Sequence, residues 1–475
     1  MNKKIFNIKT LYLLLIFLFT IPSIIHIKNS GFVLQGKEYF HIFINGGMLY
    51  DNNFINGILY FAFFAIMFAL YFVLLKKREK LFGNIRELLL FVILASILFA
   101  IILPITSSDV FSYATTGEIQ SRYGANPYYD TISKIKENYD TSDNQILNAI
   151  TIWDNQLVIY GPLWSLICAI ITFLSFSNVS LALILFKIFA ITIHLGTCVL
   201  IYKITHKKFW VILYGLNPYI LFETISNVHN DLYLVFFTIL ALYFFINKKN
   251  LLMTLVFLAC ATTIKYLTVL LVPLLLIYYY RNESIGKRIL KCIKSGLVYT
   301  FFVILLYLIY LRDIETIFYV FIQQNKYRES LLATILVFSY KAKNLDITAF
   351  TQNIVSLSYI VLYIMLVIKL LLTKNIKFEN VMNKWNILIL TFILVYITNL
   401  CVWYFVWLFT AVIWQNKKYT KITLFLPFIY ELLISKYFFL GGEWASETYW
   451  FSIVATICTF GIVNLNKLKN IKLLE

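Results

Sequence analysis

The stretch TSSDVFSYATTGEIQSRYGANPYYD, Thr106 to Asp130, decides how this chain is read. It follows an apolar run, Leu88 to Ile105, interrupted by little but Ser96 and Pro104, and it places Asp109 within a few residues of where that run would leave a bilayer. An ionisable group beside an apolar segment is costly and is a functional candidate by default. The loop stays polar as far as Tyr160, with seven acids (Asp109, Glu118, Asp130, Glu137, Asp140, Asp143, Asp154) against three bases (Arg122, Lys134, Lys136), a net charge of −4.

Outward from this loop the chain is overwhelmingly apolar. Of 475 residues 61% are hydrophobic and 18% aromatic, only 13% are charged, and the mean hydropathy is +0.79. No soluble core absorbs that much apolar surface, and apolar runs long enough to cross a bilayer recur from end to end, so the expected class is an all-α, polytopic transmembrane bundle. The net charge of +18 does not make it a nucleic-acid binder, because the Lys and Arg cluster in short loops between apolar runs, where they fix orientation. Six cysteines are scattered without a CxxC pair or a nearby histidine that would suggest a metal site.

Charge parity then orders the helices. Lys3, Lys4 and Lys9 precede a retained first helix, and a second ends at Lys76, Lys77, Arg78 and Lys80. With these clusters cytoplasmic, a third helix, about Glu87 to Ile105, delivers Asp109 to the outer face. Pro162 to Phe176 is expected to lie at the interface or re-enter, which keeps Lys203, His206, Lys207 and Lys208 inside. Single helices are then expected over 209–225 and 232–246. The run from Leu251 to Tyr280 is basic beyond both ends and splits near Lys265. A helix over 297–311 leads to a second outer loop, 312–353; helices over 354–372 and 385–400, a return that the WYFVW turn (Trp403 to Trp407) starts and that ends at Lys417, Lys418 and Lys421, and helices over 422–439 and 449–463 complete the count. The reading gives about thirteen or fourteen crossings, both termini cytoplasmic, in one membrane domain: N-terminal helices 1–105, a catalytic loop with juxtamembrane helices 106–178, and a bundle 179–475.

This counting brings Asp109, Glu118, Arg122, Asp154, Tyr160, Glu223, Asn227, His229, Asn230, Asp231 and Lys265 to one boundary. Each has a plainer reading. Asp109 could be a helix cap, Asn227 to Asp231 a connecting turn, Lys265 a snorkelling cation, Glu118 and Asp154 solvated or structural, and Trp403 with its neighbours an aromatic belt.

Five segments in order resemble a known family: Asp-Val-Phe-Ser-Tyr (109–113) with Gly117, Tyr-Gly-Ala-Asn-Pro-Tyr (123–128) with Trp153, Tyr-Gly-Pro-Leu-Trp (160–164), Asn217-Pro218 leading to His-Asn-Asp (229–231), and Lys265. The pattern is similar to the polyprenol-phosphate-mannose-dependent alpha-1,6-mannosyltransferases of the GT-C superfamily, and Trp403-Tyr404-Phe405-Val406-Trp407 resembles their late WYxxW segment. The resemblance implies a cell-membrane glycosyltransferase that passes a sugar, mannose, from a polyprenyl phosphate donor to an acceptor hydroxyl on the outer face. The acceptor would be a glycolipid, a glycan or another envelope polymer. It implies Asp109 as general base, and Tyr113, Arg122, Asn126, Tyr128, Tyr160, His229, Asp231, Lys265, Trp403 and Tyr404 as substrate contacts. Asp109 and Asp231 are also candidate ligands for a divalent cation, Mg2+ or Mn2+. The alternative is a transporter or flippase of lipid-linked sugars or envelope polymers, which an inverted repeat would betray; none is evident.

Overall fold

The computed structural model describes residues 3–30, 53–149, 154–312, 348–397, 400–414, 417–436, 456, 457 and 461. Trp153, most of the second outer loop with its apolar piece 331–340 and Lys341 and Lys343, the GGEWASETYW loop and nearly all of the expected helix 449–463 lie outside these residues. Among the described residues every regular element is helical.

Among the described residues five helices are long and apolar enough to cross a membrane: Ile8–Ile25, Phe54–Lys76, Val179–Thr205, Ile285–Tyr307 and Asn353–Leu371. A sixth is formed if Pro218–Ser226 and Asp231–Ile246, bent by 115° against each other, count as one. Pro162–Ser175, Leu251–Thr262 and Tyr266–Tyr279 are shorter apolar helices, so the described residues are consistent with the expected polytopic bundle.

The described chain packs as two compact units. The first comprises Met1–Phe236, Leu306–Val320 and Ile434–Trp444, and the second Phe237–Leu305, Phe321–Leu433 and Ala445–Glu475. In the first unit, α1 is Lys3–Ser30, α2 Asn53–Lys76, and α3 Ile85–Ile101. Asn84 caps α3 by accepting the Glu87 N–H at 2.9 Å. The helix stops short of the expected Ile105, because Pro104 lacks an N–H and disfavours helical backbone at the residue before it.

Asp109–Tyr123 forms α4, closed by Gly124 in the left-handed region at φ 60°. Pro162–Ser175 forms α5, with proline in the first turn; its 14 residues rise only about 21 Å, short of the roughly 30 Å hydrocarbon core. The two helices cross at Gly117, where an added Cβ would stand 2.3 Å from the Cys168 carbonyl oxygen. Val179–Thr205 is α6 and Lys208–Gly215 is α7.

The single helix expected over 209–225 is instead three pieces. After α7 the chain breaks at Asn217, whose side chain caps Tyr219 N–H at 3.1 Å. A short turn, Pro218–Leu221, then widens into a π-helix at Phe222–Ser226. The break strands carbonyls that have no helical partner, and buried side chains of other helices take them. Tyr71 donates to Leu213 O (2.8 Å), Tyr12 to Leu216 O (2.6 Å), and His194 Nε2 meets Gly215 O (3.1 Å).

The chain passes into the second unit within α8, Asp231–Ile246. There Leu251–Thr262 (α9) and Leu271–Tyr279 (α10) are separated by a break at Lys265 and a 3-10 turn at Tyr266–Leu270. The helix expected over 297–311 begins twelve residues earlier, as α11 (Ile285–Tyr307), because Lys287, Arg288, Lys291 and Lys294 extend an amphipathic first half. Thr348–Leu371 (α12), Phe378–Thr391 (α13) and Lys417–Leu433 (α14) complete the described helices of this unit. Between the last two, Phe392–Tyr396 is a second π-helix and Val402–Thr410 a 3-10 helix that carries the WYFVW segment.

Candidate active site

The loop from Ile102 to Ser108 has no secondary structure of its own, and other elements pin it. At the end of α3, Ser226 donates to Phe99 O (2.7 Å) and Lys187, buried in α6, donates to Ala100 O (2.8 Å) and Ile102 O. Ser23 Oγ accepts Leu103 N–H at 3.1 Å and Asn227 Oδ1 accepts Ile105 N–H at 3.2 Å, while Asn227 Nδ2 donates to Thr106 Oγ1 at 2.7 Å. A lysine at a helix C-terminus meets the negative end of the dipole as well as the free carbonyls. Asp109 is thereby held at the opposite end of the loop, as the first residue of α4, where the N-terminal dipole favours its charge.

Three groups converge on one oxygen of Asp109. The Tyr160 hydroxyl stands 3.4 Å from Oδ2, the Tyr113 hydroxyl 3.5 Å, and His229 Nδ1 3.5 Å. The other ring nitrogen of His229 lies 3.3 Å from Glu223 Oε2, which Asn227 Nδ2 also approaches at 3.4 Å. A neutral imidazole donates from only one nitrogen; only the imidazolium donates to both carboxylates. Asp231, first residue of α8, lies near enough to act electrostatically on the same Tyr113 hydroxyl as Asp109. Burial separates these groups: Glu223, His229 and Asp231 are 0% exposed, whereas the Asp109 side chain is 20% exposed.

The segment that brings Glu223 and His229 in is irregular throughout. The π-helix at Phe222–Ser226 is a rare form that is frequent at functional sites. Val228 follows at φ 60°, a left-handed conformation that is an outlier for a β-branched residue and costs on the order of 1–3 kcal/mol. That turn returns His229 N–H to Glu223 O at 3.1 Å and sets the 115° bend. Asn230, 0% exposed, finds no partner for either side-chain polar atom among the described residues, so its amide is free to meet a ligand or water.

Other residues expected at the site do different work. Arg122 is exposed near the far end of α4; thirteen residues of helix place its Cα about 20 Å from that of Asp109 along the axis. Asn126 makes a closed turn, its Oδ1 accepting Tyr128 N–H (3.1 Å) and its Nδ2 donating to Tyr310 O (2.8 Å). The buried Tyr128 donates to Tyr160 O at 2.7 Å, which seats the segment carrying Tyr160. Burial raises the pKa of Asp130, but the Lys134 ammonium and the Asn126 N–H outweigh it and hold the carboxyl below the usual carboxylate range. Glu118 accepts from Asn144 (2.8 Å) and Ser177 (2.5 Å), and Asp154 pairs with Lys136 at 2.9 Å, both structural ties.

In the second unit, Lys265 sits at the break after α9 with its ammonium 4.9 Å from the Tyr404 ring centre and 5.5 Å from that of Trp407. Those two rings stack at 4.7 Å, and Trp403 meets Tyr404 edge-on at 6.0 Å. Lys265, Trp403 and Tyr404 thus gather within one unit, as do Asp109, Tyr113, Tyr160, His229 and Asp231 in the other. As for the expected cation, no group of three or more His, Cys, Asp or Glu among the described residues could hold a metal ion.

The model of the MptA_B family, alpha-(1->6)-mannopyranosyltransferase, N-terminal domain, matches residues 35–281, more than half of the chain. The chain belongs to this family. It is therefore a glycosyltransferase, a mannosyltransferase by family, built on membrane helices. No curated protein and no solved structure matches it. The matched range of this mannosyltransferase includes the whole Asp109, Glu223 and His229 cluster and reaches past Lys265.

The sequence count places Glu223, Asn227 and Asn230 at the boundary, because a polar group at the edge of an apolar run needs a reason to be there, but it assigns no role to them. Lys187, inside the apolar run that forms α6, is the residue of this neighbourhood that sequence reasoning did not single out.

Proposed function

We propose that this mannosyltransferase moves a mannosyl group from a polyprenyl phosphate to an acceptor hydroxyl at the outer membrane face, with Asp109 as general base. The observation that carries the proposal is the difference in burial within the cluster. Of the carboxylates gathered around Tyr113 and His229, only that of Asp109 is open to an incoming hydroxyl. A sugar hydroxyl is a weak nucleophile, and a carboxylate within hydrogen-bond reach takes its proton as the new bond forms. In the proposed step the acceptor oxygen bonds to the anomeric carbon, the bond from that carbon to the phosphate oxygen breaks with its electron pair leaving on the phosphate, and the acceptor proton passes to Asp109. One displacement on a β-linked donor inverts the centre and gives the α-linkage in the family's name. That name also points to a primary hydroxyl, at C6 of mannose, as the acceptor.

His229, held from behind by Glu223, orients the Asp109 carboxylate, and Tyr113 and Tyr160 fix the same oxygen. For Lys265 we propose contact with the donor phosphate. Its support lies within its own unit, in an ammonium presented at a helix break over two aromatic faces, with cationic donors being what a departing phosphate requires.

The test is transfer in membranes supplied with radiolabelled β-linked polyprenyl phosphate mannose or, separately, nucleotide-linked mannose under conditions that block its conversion to the lipid form. An α-mannosidase-sensitive product from the lipid donor alone is expected. A product from the nucleotide donor alone would refute the donor assignment, and a β-linked product would refute inversion.

A further inference from the structure

A second polar site stands at the opposite end of α3. The Asp109 cluster follows the C-terminus of that helix, whereas a cleft of about 460 Å3 opens beside its N-terminus; the 17 residues of α3 separate the two by about 24 Å. Arg78, Glu79, Asn84, Lys207, Lys208 and Phe209 are among the residues lining the cleft, and its volume lies within the range of small-ligand pockets, roughly 300–1,000 Å3. Basic residues at the ends of membrane helices are expected for orientation alone. Here they are also built into a shape.

The Arg78 guanidinium lies 5.1 Å from the Phe209 ring centre and donates to Leu75 O at 3.1 Å, which fixes its plane. Lys208 donates to Phe82 O at 2.8 Å and pairs with Glu79 at 2.7 Å, and the same Glu79 approaches Arg78 at 3.7 Å. Two cations therefore share one carboxylate whose side chain is 65% exposed, leaving a positive surplus that exposed Lys207 increases. Lys207 is also the N-cap residue of α7 and makes no side-chain cap there, so first-turn N–H groups of a helix that begins in the cleft wall lack a side-chain acceptor. Helix N-terminal N–H groups together with fixed guanidinium and ammonium groups are the donor set of an anion site. The cleft adjoins the ends of two membrane-length helices, Phe54–Lys76 and Val179–Thr205, the level at which a lipid carries its phosphate.

We propose that this cleft binds a phosphate-bearing ligand, either an anionic lipid headgroup or free phosphate, at a site separate from that of sugar transfer. The proposal does not depend on the donor or the base assigned above.

The test uses the full chain purified in a neutral detergent and follows thermal unfolding with dioleoyl phosphatidylglycerol, dioleoyl phosphatidylcholine, or inorganic phosphate against chloride at matched ionic strength. The expected result is a rise in melting temperature with phosphatidylglycerol that phosphatidylcholine does not give, reduced in Lys207→Gln, lost in Lys207→Gln/Lys208→Gln, and retained in Lys134→Gln on the polar loop at the other end. Lys207→Gln leaves every Lys208 contact in place, so its reduced response reads the cleft and not the fold. An equal rise with inorganic phosphate supports the site and makes the free anion sufficient; a rise with phosphatidylglycerol alone supports it and selects the headgroup. Equal responses to both lipids with none to phosphate, or unaltered responses in both Lys207 variants, would overturn the proposal.

Discussion

Asn126 and Glu223 are polar residues of the same unit, and they use their polar atoms differently. Asn126 closes a turn on backbone groups, and its neighbour Tyr128 does the same toward Tyr160 O. Glu223 meets ionisable and amide side chains, His229 and Asn227, and its Oε1 finds no partner among the described residues. The first pattern is that of a scaffold, where each bond is complete without a ligand. The second is that of a site, where charges are collected in a buried place at a cost that folding alone does not repay. In the sequence Asn126 stands in a motif and Glu223 among the polar residues counted to one boundary; where their hydrogen bonds end tells them apart.

The contrast can be broken by substitution. The largest effect is expected at Gly117, where Gly117→Val places side-chain atoms against the Cys168 backbone. Neither backbone can yield cheaply, and a loss above about 4 kcal/mol is expected, seen as failure to recover folded protein in detergent by size-exclusion chromatography. Next, Glu223→Gln removes the charge behind His229 and keeps the shape. Transfer should fall roughly 10- to 100-fold, less than the loss of a whole general base, with melting temperature near that of the wild type; an unchanged rate would separate Glu223 from catalysis.

The parts of this account that could be read from sequence share a physical cause. The break at Lys265 is legible because basic residues beyond both ends of the run from Leu251 to Tyr280 would set a single helix against the orientation rule. Asp109 and His229 are legible because ionisable groups at the edges of apolar runs need a reason to be there. The π-helix and the positive φ at Val228 were not, because hydrophobicity marks which residues are buried but not how the backbone turns beneath them. Arg122 was grouped with the site by the boundary count, which does not resolve distance along a helix, and the rise of α4 sets its Cα about 20 Å from that of Asp109.

Smaller effects sharpen the scaffold half of the contrast. Tyr128→Phe and Asn126→Ala each delete hydrogen bonds worth about 1 kcal/mol net. Each should lower the melting temperature modestly while the transfer rate per folded molecule stays close to that of the wild type. A loss of rate as large as that of Glu223→Gln would move this turn into the site. The smallest effect is expected for Arg122→Gln, within about 0.5 kcal/mol in stability for an exposed position and with no change in rate; a marked rise in the donor KM would return Arg122 to substrate binding.

The most direct measurement compares wild type and Asp109→Asn for transfer from radiolabelled polyprenyl phosphate mannose, in membranes matched for the amount of folded protein. Asn keeps the size of the side chain and cannot take a proton, so a loss of about 10²- to 10⁴-fold is expected with the fold retained. Equal transfer by the two proteins would contradict the assignment of Asp109 as the base and, with it, the account of why Tyr113, Tyr160 and His229 converge there.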